Sequence, residues 1–477
     1  MRNPGEVLSD PGKLMALVLL AAVAFTLAAH RGILTTYLWD EDDFSYMGKA
    51  YASDSPVYVF DADTRIQGFP RPLTHLYFFV LSRLFGSAHT YYFLANMLLF
   101  AASAALLARL VLKLFDSWWV AVLCGILYFT GPCLVENLFW LAAGATGFVC
   151  SLFFLLSLNL YADFARGRSR LLLAGSILAA ILAMAAKESA ASLPLVLAMI
   201  ELHLGDRGRR GLLCVLPFAA IVAAFFALEV SIQMTYPRGG NFSRYSFGWH
   251  VARNWMQLVL FPLAGPLPPH AGEIPWYKLV PISAAWLSPA LLGSSRARRL
   301  TLFGLGWSFF TAIPFLGWET AITDAFVRYF NIPFMGSTLI IAGLVMMLGE
   351  RFGRKAAIAG TVVILGLFGS FGMSWAYGRV EPTIRSARTE LNIVETAREA
   401  WDGENPMYIG FFGLYEERIG NYNAIYFDNN LIQVDALPAS PRPGALMLNG
   451  PTTDPKLLVY SDGGWTVLRR YPSLAAE

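Results

Sequence analysis

The sequence predicts an α-helical protein that crosses a membrane many times and ends in a small α+β domain outside the membrane. Hydrophobic residues make up 56% of the chain and charged residues only 14%, whereas soluble proteins carry about a quarter charged residues. Apolar runs of about 20 residues, the length that crosses a bilayer as a helix, recur along the chain. The net charge of +3 is too small to indicate a nucleic-acid partner.

The apolar runs predict about eleven membrane-spanning helices, several of them short. No small-residue cleavage site follows the first run, so we expect a retained span and not a signal peptide. The four cysteines lie in apolar runs without metal-ligand spacing. The predicted spans are residues 13–34, 90–111, 119–135, 146–161, 171–186, 192–204, 212–232, 279–293, 300–316, 332–349 and 356–376.

Positive charge predicts the direction of these spans. Five basic clusters lie between them, and all five fall on the same side if the N-terminus is cytoplasmic. Segment 72–85 is apolar but short for a span, so we expect it to lie in the outer interface as an amphipathic helix, as does segment 249–262. The clusters are Arg109 and Lys113; Arg166, Arg168 and Arg170; Arg207, Arg209 and Arg210; Arg296, Arg298 and Arg299; and Arg351, Arg354 and Lys355.

The pattern changes after residue 377. Residues 1–377 form the predicted transmembrane domain, with a first outer loop over 35–88, and residues 378–477 form the predicted outer domain. Proline, glycine, asparagine and charged residues return there, and no catalytic motif is evident. A polar helix is predicted over 382–401, and short strands over 407–412, 424–427, 457–460 and 466–468.

Four consecutive carboxylates follow the first apolar run, namely Asp40, Glu41, Asp42 and Asp43. Like charges at this density repel each other, so a cation or a raised carboxyl pKa is expected there. A site that uses a carboxylate base or binds a cationic ligand explains the cluster. The alternative is a solvated acidic loop that orients the first span.

The predicted topology gathers further charged groups on the outer side. Lys187 and Glu188 interrupt an apolar segment, where a charge is costly unless it is paired or hydrated; the alternative is a simple ion pair at a helix turn. Glu136 follows a helix-breaking proline and could instead face outside water. Arg71 can hold a phosphate with its guanidinium fork, or reach the lipid headgroups. Arg328 is either a ligand or an interface anchor.

These residues resemble the motifs of the GT-C class of membrane glycosyltransferases, especially protein O-mannosyltransferases and lipid A aminoarabinose transferases. The resemblance covers roughly residues 14–376 and leaves out the C-terminal domain. The histidine often found before Pro132 is absent, and so are tandem helical repeats in the C-terminal part, which leaves the acceptor open. The matching segments are Asp42-Asp43-Phe44-Ser45-Tyr46, Arg71-Pro72-Leu73, Leu84-Phe85-Gly86, Tyr92-Phe93-Leu94-Ala95-Asn96, Pro132 with Glu136 and Trp140, Lys187-Glu188 with Pro194, and Arg328-Tyr329 with Pro333.

The resemblance implies transfer of a sugar from a polyprenyl-phosphate carrier to an acceptor on the outer membrane face, with inversion at the anomeric carbon. Asp42 would be the general base, with Asp43 as the second choice. The leaving phosphate would be neutralised by three cations, Arg71, Lys187 and Arg328. The sugar and the acceptor hydroxyl would be oriented by Glu136, Glu188, Tyr329, Asp40 and Glu41.

The expected partners are the polyprenyl-phosphate-sugar lipid, the membrane, and an acceptor that is a glycan, a lipid or a protein. No cofactor is assigned, although the acidic cluster is also compatible with a divalent metal ion. The expected location is a bacterial inner membrane, with the active site on the periplasmic side. Two alternatives stay open: a transporter or flippase of lipid-linked glycans, and a non-catalytic relative that binds polyprenyl lipid.

Overall fold

The computed structural model is helical before residue 372 and contains strands after residue 407, within the part of the chain that it describes. The structure describes residues 10–29, 41–60, 70–86, 88–131, 134–204, 209–235, 246, 248–252, 254–255, 276–317, 327–372, 407–411, 432–436, 445–448, 456–461 and 464–470. The helices are α1 (Pro11–Ala29), α2 (Glu41–Ala52), α3 (Pro72–Phe85), α4 (His89–Phe115), α5 (Trp118–Phe129), α6 (Val135–Phe139), α7 (Leu141–Gly167), α8 (Arg170–Ala186), α9 (Leu193–Leu204), α10 (Arg209–Leu212), α11 (Leu216–Thr235), α12 (Trp276–Leu292), α13 (Ser295–Ala312), α14 (Asn331–Phe352) and α15 (Arg354–Leu367).

Five helical segments are long and apolar enough to cross a membrane: Pro11–Ala29, His89–Phe115, Leu141–Gly167, Leu213–Ser231 and Asn331–Phe352. Two more, α5 and α8, are apolar but shorter. The prediction of a helical protein with several membrane-length segments is therefore confirmed. The count of about eleven spans and the cytoplasmic N-terminus stay predictions.

Most predicted segments coincide with helices to within a few residues, and the predicted helix over 72–85 is α3 itself. Whether α3 lies in the interface stays a prediction, and most of segment 249–262 lies outside the described residues. The predicted span over 119–135 is wrong at its end, because α5 stops at Phe129 and α6 begins at Val135. Pro132 explains the break, since proline lacks an N–H and disfavours helical backbone in the residue before it.

The chain divides into two compact units. Unit 1 comprises Met1–Leu34, Gln67–Thr74 and Phe93–Glu381, and unit 2 comprises Thr35–Ile66, His75–Tyr92 and Pro382–Glu477. Each unit is described by itself below. The boundary predicted between residues 377 and 378 stays a prediction.

In unit 1, α13 and α14 pack with their backbones almost touching. A Cβ added at Gly336 would lie 2.6 Å from the carbonyl oxygen of Gly304, so only glycine allows this approach. The start of α14 is held by two hydrogen bonds: Trp307 Nε1 donates to the Ile332 carbonyl at 3.1 Å, and Ser308 Oγ donates to the Pro333 carbonyl at 3.0 Å.

At the C-terminal end of α7 in unit 1, charged side chains join three helices. Lys113 Nζ at the end of α4 lies 2.7 Å from Asp163 Oδ2 in α7. Arg168 Nη2, just after α7, lies 2.7 Å from Glu201 Oε1 in α9, and Tyr161 Oη donates to the same carboxylate at 3.1 Å. Two predicted basic clusters therefore lie at the same end of this unit. Their location on the cytoplasmic side stays a prediction.

In unit 2, α2 and α3 carry stacked rings. The Tyr46 ring lies 5.1 Å from that of Phe78 and 4.6 Å from that of His75, and Tyr58 Oη donates to the His75 carbonyl at 3.0 Å. These contacts bury one face of α2, the helix that begins in the acidic cluster.

Unit 2 also contains a five-stranded sheet in the order β2-β1-β3-β4-β5. The strand β1 pairs in parallel with β2 and β3, whereas β3-β4 and β4-β5 are antiparallel. Strands β1, β4 and β5 coincide with predicted strands, but β2 and β3 were not predicted because each is short and weakly patterned. The predicted helix 382–401 and strand 424–427 lie outside the described residues. The strands are β1 (Met407–Phe411), β2 (Ile432–Ala436), β3 (Ala445–Leu448), β4 (Lys456–Ser461) and β5 (Gly464–Arg470).

The close contact of α13 with α14 is testable with Gly336→Ala. The added methyl group would overlap the Gly304 carbonyl, so we expect a loss of about 1–3 kcal/mol in the free energy of unfolding. Thermal unfolding in detergent measures it. Gly366→Ala in α15 is the matched control, because a Cβ there meets nothing within 4 Å and alanine favours a helix. Equal stability of the two variants would contradict the close packing.

Candidate functional site

The acidic cluster starts a helix. Asp42 and Asp43 lie in the first turn of α2, where unpaired backbone N–H groups favour negative charge. Asp43 is fully buried and Asp42 is half-buried. The alternative of a solvated acidic loop is therefore wrong for Asp43, because its carboxylate lies inside unit 2. Asp40 and the side chain of Glu41 lie outside the described residues.

In unit 1, Arg71 and Glu188 form a mostly buried ion pair. Arg71 Nη2 lies 3.1 Å from Glu188 Oε2 and 3.2 Å from Oε1, and Arg71 Nε lies 3.3 Å from Oε2. The two side chains are only 11% and 14% exposed. The alternative that Arg71 extends to lipid headgroups is therefore wrong, because its guanidinium is paired and mostly buried, and Glu188 has an ion-pair partner far away in the sequence.

The electrostatics of this pair keep Glu188 ionised. Burial alone would raise the pKa of the Glu188 carboxyl, but the charges of Arg71 and Lys187 together with hydrogen bonds hold its pKa below the ordinary value. A desolvated carboxylate is stable only when such partners are present. Residues that are 117 positions apart in the sequence therefore form one charged group.

Lys187 lies at a break between two helices. Helix α8 ends at Ala186, Lys187 has extended backbone, and a 3₁₀ turn follows over Glu188–Ser192. The Thr74 hydroxyl donates to the Ala186 carbonyl at 3.1 Å, which satisfies one backbone group freed by the break. The Lys187 side chain is 5% exposed. The break thus buries an ammonium group inside unit 1.

Tyr329 meets Lys187 from a distant part of the sequence. The ammonium nitrogen lies 5.1 Å from the centre of the Tyr329 ring, a distance at which a cation is attracted by the ring face. Tyr329 belongs to the 3₁₀ turn Val327–Phe330, and its ring also lies 4.9 Å from that of Phe315. Arg328 is in the same turn, but its side chain lies outside the described residues.

Glu136 lies in the short helix α6, which packs against the turn that carries Tyr329. Its side chain is only 8% exposed. The alternative that Glu136 faces outside water is therefore wrong, because the chain after Pro132 turns the carboxylate inward.

A small cavity lies between these elements. Its accessible volume is about 10 Å³, which is room for about one water molecule. The described residues that line it are Gly147, Lys187, Ser189, Phe315, Tyr329, Asn331 and Ile332.

Sequence reasoning missed two buried polar residues. Glu229 in α11 is fully buried, neither carboxylate oxygen has a hydrogen-bond partner among the described residues, and it lies within electrostatic range of Glu188 and Arg71. Asn331 at the start of α14 is 4% exposed and lines the cavity. A lone carboxylate inside an apolar run could have identified Glu229, whereas Asn331 gives only a weak signal.

The structure thus brings together four predicted site residues in unit 1: Arg71, Lys187, Glu188 and Tyr329. Asp42 and Asp43 belong to unit 2, and their approach to the cations stays a prediction. Among the residues that the structure describes, no group of three or more histidine, cysteine, aspartate or glutamate side chains is arranged to hold a metal ion.

The Arg71–Glu188 pair is testable with Glu188→Gln. The variant keeps the side-chain shape but leaves Arg71 opposite a neutral amide, so we expect a loss of about 1–3 kcal/mol in unfolding free energy at neutral pH. Because the folded-state pKa of Glu188 is lowered, the difference in unfolding free energy between the wild type and Glu188→Gln is fully present above the ordinary glutamate pKa of about 4.3. It disappears as the pH falls through the lowered pKa.

Thermal unfolding from pH 7 to pH 3 measures this difference. Asp10→Asn is the matched control, since the Asp10–Lys13 pair is exposed and 4.0 Å apart and exposed pairs contribute little. A Glu188→Gln effect that is no larger than that of Asp10→Asn would contradict the buried ion pair.

The chain was also compared with known proteins. No family model and no curated protein matches it. It is similar in structure to ArnT from Cupriavidus metallidurans bound to undecaprenyl phosphate, with 15% identity, a TM-score of 0.49, and coverage of 85% of this chain and 84% of that one. The apo state of ArnT gives 16% identity, a TM-score of 0.49, and coverage of 84% and 83%.

The archaeal oligosaccharyltransferase AglB from Archaeoglobus fulgidus, in complex with an inhibitory peptide and a dolichol-phosphate, is 12% identical with a TM-score of 0.46. The similarity covers 86% of this chain and 63% of AglB.

Proposed function

We propose that this protein is a glycosyltransferase that moves a sugar from a polyprenyl-phosphate carrier to an acceptor at the outer face of a bacterial inner membrane. The observation that carries the proposal is the buried charged group of Arg71, Lys187 and Glu188 inside a helical protein with membrane-length segments. Buried cations in such a protein indicate a functional site by default, and a phosphate-linked lipid is the anionic ligand that reaches it from the bilayer.

The cations suit a leaving phosphate. Arg71 already holds the two oxygens of a carboxylate with its guanidinium fork, and a phosphate offers the same pair of acceptors. Lys187 adds a second positive charge beside it. As the bond between the anomeric carbon and the phosphate oxygen breaks, negative charge grows on the phosphate, and buried cations stabilise that charge more strongly than water does. Arg328 is a third proposed phosphate ligand.

The proposed reaction is a single displacement with inversion. The acceptor hydroxyl oxygen attacks the anomeric carbon, the bond to the phosphate oxygen breaks, and polyprenyl phosphate leaves. The hydroxyl proton passes to Asp42, the proposed general base. The half-buried position of Asp42 favours it over the fully buried Asp43, because a base must be accessible to the acceptor. Asp43 would then position the donor or the base.

Other polar groups would orient the sugar and the acceptor. Glu136 and Tyr329 lie on elements that pack together in unit 1, and the hydroxyls of a sugar need both acceptors and donors. Asp40, Glu41 and Glu188 complete the proposed set. The acceptor can be a glycan, a lipid or a protein. Whether transfer needs a divalent ion can be tested by measuring activity with added Mg²⁺ or Mn²⁺ and with a chelator.

The base is testable with Asp42→Asn. General-base catalysis contributes about 10²–10⁴-fold, so we expect turnover to fall by that factor while the thermal unfolding temperature stays unchanged. The measurement is transfer of labelled sugar from a panel of polyprenyl-phosphate donors, together with mass spectrometry of surface glycans from cells that carry each variant.

Asp54→Asn is the matched control, because Asp54 is an exposed carboxylate just beyond α2, and we expect its activity to equal that of the wild type. Wild-type protein that binds the donors but transfers no sugar would favour a non-catalytic relative. Full activity in Asp42→Asn together with loss of activity in Asp43→Asn would identify Asp43 as the base.

A further inference from the structure

The cavity beside Lys187 contains a hydrogen-bond donor that no residue of the described chain uses. Asn331 is only 4% exposed, and its buried Nδ2 atom has no hydrogen-bond partner among the described residues. A buried amide without a partner loses its hydrogen bonds to water and gains none in return. Such a group at the wall of a cavity points to a ligand atom that accepts from it.

The orientation of the Asn331 amide is determined by its other end. The Tyr128 hydroxyl donates to Asn331 Oδ1, so the carbonyl faces Tyr128 and the NH₂ group faces away from it. Tyr128 is fully buried, and its ring lies 5.5 Å from that of Phe100 and 6.5 Å from that of Phe334. A fixed phenol therefore holds the amide in one orientation.

The direction of the NH₂ group follows from Gly147. A Cβ added at Gly147 would lie 3.2 Å from Asn331 Nδ2, and both residues line the cavity. The absent side chain at Gly147 thus leaves the space into which the amide donates.

The chemistry of the cavity wall selects an anionic oxygen. The wall contains the Lys187 ammonium and the Asn331 amide as donors, together with the Ser189 and Tyr329 residues, whose hydroxyls can donate or accept, and none of the described lining residues is a carboxylate. Lys187 also brings a positive charge, and no side chain among them is an acceptor only. A volume of about 10 Å³ admits about one oxygen atom.

We propose that Asn331 is a binding residue that, together with Lys187, holds one anionic oxygen of a phosphate group in this cavity, and that Tyr128 positions it. The inference rests on the proposed function in so far as the phosphate belongs to the lipid donor. Arg71, paired with Glu188, would then donate to the remaining phosphate oxygens, and the Asn331 subsite would fix the orientation of the phosphate.

The test compares Asn331→Asp with wild-type protein in detergent micelles. Aspartate keeps the acceptor for Tyr128 but replaces the donor by an anionic oxygen. Affinity for undecaprenyl phosphate, measured by the ligand-dependent shift in unfolding temperature, should fall about 10- to 100-fold. Undecaprenol and inorganic phosphate are the comparison ligands, because they separate the lipid chain from the charged group.

Three further variants sharpen the result. Tyr128→Phe should weaken binding by a smaller factor, about 3- to 10-fold, and it should add little to Asn331→Asp, since the two share one interaction. Gly147→Ala should weaken binding by filling the space before the amide. Ser337→Ala is the control: its buried hydroxyl in the same helix has no partner among the described residues and does not line the cavity, so binding should not change.

The outcomes separate the two proposals. Wild-type binding of undecaprenyl phosphate with equal binding by Asn331→Asp overturns the Asn331 subsite and leaves the glycosyltransferase proposal intact. Wild-type protein that binds inorganic phosphate through Asn331 but does not prefer undecaprenyl phosphate over undecaprenol keeps the subsite and contradicts the lipid donor. If Asn331→Asp does not fold, unchanged affinity in Gly147→Ala overturns the inference.

Discussion

The buried ion pair between Arg71 and Glu188 is the constraint on which the rest of the site depends. Both side chains are nearly inaccessible to water, so each charge needs the other. Removing one partner of such a pair leaves an uncompensated buried charge and destabilises the fold. The pair therefore ties the segment before α3 to the turn after α8, and it holds Lys187 in place between them.

The break between α8 and α9 follows from the same constraint. A continuous helix through residues 186–193 would satisfy every backbone group, and a chain in a membrane has no water to replace those bonds. The chain instead interrupts the helix at Lys187, and the Thr74 hydroxyl donates a hydrogen bond to the Ala186 carbonyl. The interruption turns two adjacent charges toward different partners: Glu188 toward Arg71, and Lys187 toward Tyr329.

Much of the helical fold was predictable, because apolar runs and prolines act locally. Helix α3 and the end of α8 came directly from such patterns, and so did the isolated charges of Lys187 and Glu188. The pairing of Glu188 with Arg71 was not predictable, since no periodicity relates positions 117 residues apart.

Burial of individual residues was equally hidden in the sequence. The sequence leaves Asp43 and Glu136 with solvated alternatives, because charged residues near helix ends usually face water, yet both are buried. Glu229 and Asn331 were overlooked because one polar residue changes the hydropathy of an apolar run very little. Their possible role becomes evident only from the polar groups that lie beside them in the fold.

The charges of the site explain why a carboxylate stands among its cations. Arg71 and Lys187 are positive and Glu188 is ionised, so the group carries one net positive charge. Two unpaired cations would be expensive to bury, and a fully neutral group would attract no anion. An excess positive charge on these three side chains attracts an anion such as the phosphodiester, the linkage in the proposed donor. Glu188 thus lowers the free-energy cost of burying the Arg71 guanidinium, while the group still attracts an anion. A bound phosphate would share Arg71 with Glu188 and would not displace Glu188.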